Sequence, residues 1–366
     1  MSNPAPLPIA LDYRPALLSK AGIGRATREL ARSLAQRDDL LVHLFGHSLA
    51  RARCATTIPA GARLHRLPIP GRSLPQLKRW GWPAERLAGG VGVFHWTDFV
   101  QPPCDKAATV LTVHDLAFVR DAHWHGPDAA VLRERTRAAI DCAAAVIVPS
   151  ATTAADVRSF APAVRALHVV PFGSDHVAVS CQNPHPFGGK PFALCVGTIE
   201  PRKNHRALLA AWRLLREPRP RLVVVGNIGW ECDDIVAELR EAVASGLAIW
   251  LQDADDAQMF CLLSYATMLV YPSLWEGFGF PPLEAMRLGV PVVAHDAAPM
   301  QELGDGALQL CDATLPAALA AAIETVLVDR TERERKICAG RARAARFRWR
   351  DCASAHAAIY REVAPW

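Results

Sequence analysis

The feature that most constrains this chain is an alternation of short apolar, β-branched runs with longer helix-period segments, and it occurs twice. Such alternation is the pattern of βαβ units and hence of parallel sheets with helices on both faces. In the first half, residues 9–12, 41–45, 93–96, 110–113 and 146–148 read as strands, with helices over 25–36 and 129–141. Residues 176–191 then break the pattern with Asn183-Pro184, Pro186, Gly188 and Gly189, the composition of a linker. A second set of strands follows at 192–196, 222–225, 248–251, 268–271 and 291–294, and 347–363 reads as a closing helix. The expected fold class is therefore α/β, with two Rossmann-like doubly wound domains. The chain's 366 residues suffice for two domains of ordinary size.

Within the second set lies Pro272-Ser273-Leu274-Trp275-Glu276-Gly277-Phe278-Gly279-Phe280-Pro281-Pro282-Leu283-Glu284-Ala285-Met286. The prolines suit the first turn of a helix and Gly289 its end, which leaves Glu276 before the helix and Glu284 inside it. Gly277 and Gly279 allow a sharp turn that brings backbone N–H groups and the helix's positive end up to an anion such as a diphosphate. Two carboxylates beside that turn suit sugar hydroxyls; the plainer reading is a pair that merely favours a helix start.

After the strand at 192–196 comes Gly197-Thr198-Ile199-Glu200-Pro201-Arg202-Lys203-Asn204-His205, leading into a helix. Two adjacent cations near a helix start oppose the helix dipole, so a bound anion would give Arg202 and Lys203 a purpose; otherwise they are solvated surface cations. The first domain offers Lys20-Ala21-Gly22-Ile23-Gly24-Arg25 between its first strand and first helix, and His114-Asp115 at the end of the strand 110–113. Carboxyl ends of strands are where doubly wound sheets bind ligands, although a lone histidine is more often structural.

These segments together resemble glycosyltransferase family 4, with the Glu276 to Glu284 spacing as the specific signature and nearly the whole chain covered. The resemblance implies the GT-B architecture, two Rossmann-like domains facing across a cleft. It implies an acceptor-binding domain over residues 1–180, a nucleotide-sugar-binding domain over 181–345, and a terminal helix at 346–366 that packs back on the first. It further implies catalytic positions at His114 and Glu276. Donor contacts fall at Gly22, Gly24, Arg202, Lys203, Gly277, Phe278, Gly279 and Glu284, with Glu276 and the Phe278 and Gly279 amides at the donor sugar and Glu284 at the ribose. Asp115 and Arg25 are placed to orient or to meet the acceptor, and Arg25 equally well to add charge to the diphosphate or to pair with a neighbouring carboxylate. Thr198 stands where many relatives carry arginine, and Ala21 where a glycine is common.

The implied activity is retaining transfer of a hexose from a nucleoside-diphosphate sugar to a hydroxyl of a glycan or lipid-linked oligosaccharide in cell-surface polysaccharide synthesis. The Glu-Pro-Arg-Lys-Asn variant resembles bacterial mannosyl- and rhamnosyltransferases, which makes GDP-mannose the expected donor. GDP-rhamnose, UDP-glucose and dTDP-rhamnose are the alternatives, and a non-catalytic nucleotide-sugar-binding scaffold is a separate one. Phosphorylase-like chemistry would need a pyridoxal phosphate lysine, and no motif marks one.

Neither cofactor nor metal is expected. Asp253-Ala254-Asp255 has a metal-binding spacing yet precedes a helix at 258–266, where aspartates serve as N-caps, and His123-Trp124-His125 lacks ligand partners. A net charge of +5 favours anionic ligands without requiring nucleic acid, and no long basic block supports one. The ten cysteines form no C-x-x-C pair and read as reduced core thiols, as in a cytoplasmic protein. No signal peptide or membrane-spanning run is evident. Residues 72–86 mix cations with Trp80 and Trp82, which suits ordinary packing or peripheral contact with the inner face of the plasma membrane.

Overall fold

A computed structural model of the chain describes residues 5–50, 58–124, 129–177 and 184–365. Its contacts divide it into two compact units. The first comprises Met1–Leu116, Ala130–Gly173 and Arg348–Trp366, and the second comprises Ala117–Ala129 and Ser174–Phe347. Among the described residues no helix is long and apolar enough to cross a membrane.

The first unit is built on seven parallel strands, β1 (Leu7–Asp12), β2 (Leu40–His47), β3 (Ala62–Leu67), β4 (Val93–Trp96), β5 (Ala108–Thr112), β6 (Ala145–Val148) and β7 (Leu167–Val169), in the order β3-β2-β1-β4-β5-β6-β7. The second has six, β8 (Phe192–Val196), β9 (Arg221–Val225), β10 (Ala248–Leu251), β11 (Met268–Tyr271), β12 (Val292–His295) and β13 (Gln309–Cys311), in the order β10-β9-β8-β11-β12-β13. Central strands are buried on both faces, so their sequences read as continuous apolar runs rather than alternating ones. Strand order reverses between β1 and β4 in one sheet and between β8 and β11 in the other. At such a switch point adjacent connections leave toward opposite faces, opening a crevice at the carboxyl ends.

Three strands have no counterpart in the sequence reading: β3, β7 and β13. All are sheet edges. Their side chains are at most half-buried, and β3 carries Arg63, His65 and Arg66, so no apolar run marks them. The division between units falls at Gly173 and Ser174, ahead of the composition break. Ser174 is joined to the second unit through its N–H to the Phe347 carbonyl, 3.0 Å, and its hydroxyl to the Ala344 carbonyl, 3.1 Å. Residues 178–183 of the expected linker, and His125, lie outside the described residues. Among the described residues the cysteines depart from expectation in two respects: first, Cys261 is disulfide-bonded, whereas Cys104, Cys142, Cys195, Cys232, Cys311, Cys338 and Cys352 are free thiols, Cys54 and Cys181 lying outside the described residues. Second, Cys142 and Cys338 are exposed rather than in the core. Spacing along the chain detects only local cysteine pairs, so a pairing made by tertiary approach leaves no signal in it.

The closing helix Trp349–Val363 is part of the first unit and packs on the helix Gly22–Ala35. Its fully buried Tyr360 places a hydroxyl 2.7 Å from His95 Nδ1, while His95 Nε2 lies 2.7 Å from the Thr112 hydroxyl. A chain of polar groups thus runs from the helix through β4 to β5, each satisfied by the next. Tyr360→Phe removes one link and leaves a buried imidazole nitrogen without its partner. The expected loss is about 1–2 kcal/mol of unfolding free energy, read as a lower urea midpoint, and an unchanged midpoint would show that this bond contributes nothing.

Candidate functional site

A cluster of buried and half-buried charge in the second unit lies at its switch point. β8 ends at Val196, and Pro201–Lys203 forms a single 3-10 turn before the helix His205–Leu214. Asn204 makes the transition with φ 56°, a left-handed conformation that asparagine tolerates, and its side-chain amide donates to the Ala313 carbonyl at 2.8 Å. β11 ends at Tyr271, and the next residues return to the same place: the Leu274 N–H donates to the Arg202 carbonyl at 2.9 Å. Gly279 is the N-cap of the helix Phe280–Leu288 with φ 91°, a conformation that favours glycine, and a Cβ there would lie 2.6 Å from Met300 Cε at the movable end of that side chain. Pro281 and Pro282 occupy the first turn, and Gly289 closes the helix at φ 75°.

This folding brings together the two segments read separately in the sequence. Glu276 accepts from Lys203 Nζ through one carboxylate oxygen and pairs with Arg202 Nη1 at 3.1 Å through the other. The Ser273 hydroxyl donates to Glu276 at 2.5 Å. Arg202 also bonds Glu200 at 2.8 Å and the Trp275 carbonyl at 2.5 Å. Burial by itself would raise the Glu276 carboxyl; Lys203 first and Arg202 next outweigh it, with Ser273 helping, and hold it at about 2. Glu200 shifts upward, because burial there exceeds the pull of Arg202 and Lys203 and because Glu276 repels it. Two carboxylates and two cations therefore balance in a nearly closed cluster. The adjacent cations that looked unexplained beside a helix start have intramolecular partners, which serve as well as a ligand to account for them.

Glu284, expected to meet ribose, sits in the helix with none of its surface exposed. His176 Nε2 lies 3.1 Å from its Oε1, with the imidazole edge-on to Phe260 and Phe280. A ribose contact at this carboxylate therefore requires it to be uncovered. Phe278 packs edge-to-face on Phe280 and Phe347, so its ring is a core element. Asp255 is the N-cap of the helix Asp256–Tyr265 in a full capping box with Gln258, and Asp253 exchanges hydrogen bonds with the Asn227 side chain.

The first unit has its own polar cluster at carboxyl ends. His114 Nε2 lies 3.0 Å from the Thr97 carbonyl, and its ring faces Phe172. Burial shifts this imidazole downward, while the Thr97 carbonyl, Asp98 and Asp115 oppose that shift, so it favours the neutral form. The Thr97 hydroxyl donates to the Asp12 carbonyl at 2.5 Å, and Arg14 bonds both Asp98, at 2.5 Å, and the Asp12 carboxylate through its N–H, at 3.1 Å. Asp12 is fully buried, and burial, partly opposed by Arg14, lifts its carboxyl to about 7. Sequence reasoning missed Asp12, Arg14 and Asp98; the available signal was their position at the ends of β1 and β4, flanking the switch point.

The glycine motif is placed differently from the reading. A short helix, Arg14–Leu18, intervenes after β1, and Gly22 to Arg25 form the first turn of the next helix rather than a loop. A Cβ on Gly24 would lie 2.1 Å from the Ser19 carbonyl oxygen, so this glycine permits the two helices to meet. Arg25 is buried in that turn.

The Glu276 pairing has a measurable pH signature. Its carboxyl titrates near 4.5 when unexposed to these partners and at about 2 in the fold, so its contribution is complete above 4.5 and is lost as pH falls toward 2. The expected size is up to about 3 kcal/mol. Glu276→Gln should flatten that part of the stability curve in urea titrations, and an unchanged slope would show that the pairing does not stabilise the fold.

Residues 182–343 match the family described as glycosyl transferases group 1, and residues 21–177 match glycosyltransferase family 4. The O-antigen chain mannosyltransferase B of Escherichia coli is 32% identical over 274 residues, covering 71% of each chain. Among solved structures, sucrose-phosphate synthase from Thermosynechococcus elongatus superposes with a TM-score of 0.78 at 22% identity over 97% of this chain and 98% of that one. HepE of Anabaena in complex with UDP and glucose gives a TM-score of 0.75 at 18% identity, covering 97% of this chain and 99% of that one. These neighbours share the fold, and the matched families and the mannosyltransferase relative settle the membership: the chain belongs to glycosyltransferase family 4, with the two Rossmann-like sheets of the GT-B class.

Proposed function

We propose that the chain is a retaining hexosyltransferase that moves mannose from GDP-mannose to a hydroxyl of a glycan or lipid-linked oligosaccharide in cell-surface polysaccharide synthesis. The observation that carries this reading is the meeting of Glu276 with Arg202 and Lys203 at the switch point of the second sheet, where a phosphorylated sugar would find cations and a hydroxyl acceptor together. The mannosyltransferase relative supports the sugar and the setting.

In this reading the diphosphate competes with Glu276 for Arg202 and Lys203, and Glu276 turns to hydroxyls of the donor sugar. Glu284 takes the ribose once uncovered. The bond from the anomeric carbon to the phosphate oxygen breaks, with its electron pair and developing charge stabilised by the two cations. The acceptor oxygen bonds to the same face of that carbon, and its proton passes to the departing phosphate. His114, neutral in its buried setting, is suited to hydrogen-bond a sugar hydroxyl rather than to add charge. The cations carry the phosphate charge, so no metal is required.

UDP-glucose is the second donor to consider, because HepE was solved with UDP and glucose. A thermal-shift series against GDP, UDP, dTDP, ADP and their common sugars separates the two, since ligand that binds only the folded chain raises its melting temperature. GDP and GDP-mannose should stand out. A response to UDP alone would replace the donor, and no response to any would count against a nucleotide-sugar site in the free protein.

Glu276→Gln, which keeps the volume of a side chain buried among cations, should reduce transfer by at least about a hundredfold while leaving a folded protein. Arg202→Ala with Lys203→Ala should weaken binding of the nucleoside diphosphate more than of the nucleoside, and equal losses would remove the phosphate contact. Excess EDTA should leave donor binding unchanged; strong inhibition would reopen Asp253 and Asp255 as metal ligands.

A further inference from the structure

Residues 62–87 of the first unit hold six cations, Arg63, Arg66, Arg72, Lys78, Arg79 and Arg86, against one acid, Glu85. That acid is buried, and its Oε1 accepts the Asp105 and Lys106 N–H groups at 2.9 and 2.8 Å. Leu74 is buried at the start of the helix Leu74–Arg79, Lys78 Nζ donates to the Cys104 carbonyl, and the Ala84 N–H donates to the Pro103 carbonyl at 3.0 Å. Residues 103–106 thus anchor the chain on both sides of a turn made by Trp80, Gly81 and Trp82. Within the turn the Trp82 N–H returns to the Leu77 carbonyl at 2.9 Å, and a Cβ on Gly81, at φ 82°, would meet nothing within 4 Å. Trp80 is 67% exposed and Trp82 47%, the highest values of any tryptophan among the described residues. Packing therefore does not account for these two indoles. Arg86 stacks on the Trp82 ring at 4.4 Å and donates to the Gly81 carbonyl at 3.0 Å. Arg72 and Arg79 are exposed, and neither has an ion pair among the described residues.

We propose that this turn docks the protein on an anionic lipid bilayer, with Trp80 and Trp82 entering the headgroup layer and Arg72 and Arg79 meeting lipid phosphates beside them. The inference does not depend on the donor or the acceptor; it concerns where the protein works. An indole has an apolar body and one N–H, which suits the boundary between acyl chains and headgroups. Guanidinium groups next to it find phosphate at that depth and bond its oxygens in a fork. Charge complementarity selects an anionic surface, because the segment's one carboxylate is buried and spent on backbone N–H groups, so none within the segment competes for the exposed arginines. An exposed turn with indoles on both sides of Gly81 also suits a flat surface, whereas a peptide partner would call for a groove or a free strand edge. Two shallow rings or a few cations alone attach weakly and reversibly, and the two together reinforce one another.

The experiment is flotation of the full-length protein with vesicles of phosphatidylcholine mixed with phosphatidylglycerol, and of phosphatidylcholine alone, at low and high salt. The wild type should partition to the anionic vesicles at least about tenfold better than to the neutral ones, and high salt should weaken that partitioning. Trp80→Ala with Trp82→Ala should lower it about tenfold, and Arg72→Glu with Arg79→Glu should lower it as far and abolish its salt dependence. Both pairs leave the anchors at Leu74, Ala84 and Glu85 in place, so their melting temperatures and nucleotide binding should match the wild type. A wild type that stays with the soluble fraction at low salt, or that floats equally with both vesicles, overturns the inference. A tryptophan pair variant that floats like the wild type also overturns it, since the segment would then be a general polyanion patch. If that variant does not fold, the arginine pair decides alone, and wild-type flotation by it overturns the inference. Each of these failures leaves the proposed function standing, because that reading is tested by nucleotide binding and transfer.

Discussion

Burying two carboxylates and two cations beside each other is possible only if each is compensated, and this requirement organises the carboxyl edge of the second sheet. Glu276 lies between Arg202 and Lys203, Arg202 lies between Glu276 and Glu200, and Ser273 and the Trp275 carbonyl take up remaining hydrogen-bonding capacity. Removing any one partner would leave a charge in a poorly solvated place, which costs far more than the pair gains over an apolar substitute. The turn geometry serves this arrangement. A left-handed Asn204 ends one connection and a left-handed Gly279 begins the next helix, so both loops turn back toward the same point.

A balanced ionic cluster would suit a ligand that carries a charged leaving group. Its cations are preorganised without attracting indiscriminate anions, and an anionic ligand must compete with Glu276 for them. The same competition would move Glu276 from a structural partner to a ligand-facing acceptor. Glu284 poses a related requirement: it is enclosed and hydrogen-bonded by His176, whose ring is held between phenylalanines. In the first unit the polar groups are arranged differently, with a buried Asp12 titrating near neutrality and a His114 that burial keeps from gaining charge. Each sheet therefore presents a distinct electrostatic environment at its strand ends.

Much of the fold could be read from the chain because central parallel strands are buried on both faces and therefore appear as unbroken apolar runs. Residues 93–96, 192–196 and 268–271 coincide with observed central strands. The edge strands β3, β7 and β13 were invisible for the opposite reason, since they are at most half-buried and β3 uses charged side chains; the edge strand β10 was legible because Ala248–Leu251 is apolar throughout. The Glu276 to Glu284 segment was legible because its determinants are local, namely glycines, prolines and the spacing of two acids. The glycine turn at Gly22 and Gly24 was misplaced by one short helix, since the five residues of Arg14–Leu18 are too few to show a helical period.

By itself the sequence determined the fold class, the existence of two sheets, and the family, all of which follow from periodicity and short motifs. Tertiary structure alone decided the partners. That Glu276 neutralises Arg202 and Lys203 depends on two connections from adjacent strands converging across 73 residues of chain. That Arg120 lies on Trp275 depends on a segment leaving one unit to join the other. Local propensity acts over a few residues, whereas compensation of buried charge acts through space, and only the folded chain brings those groups within reach.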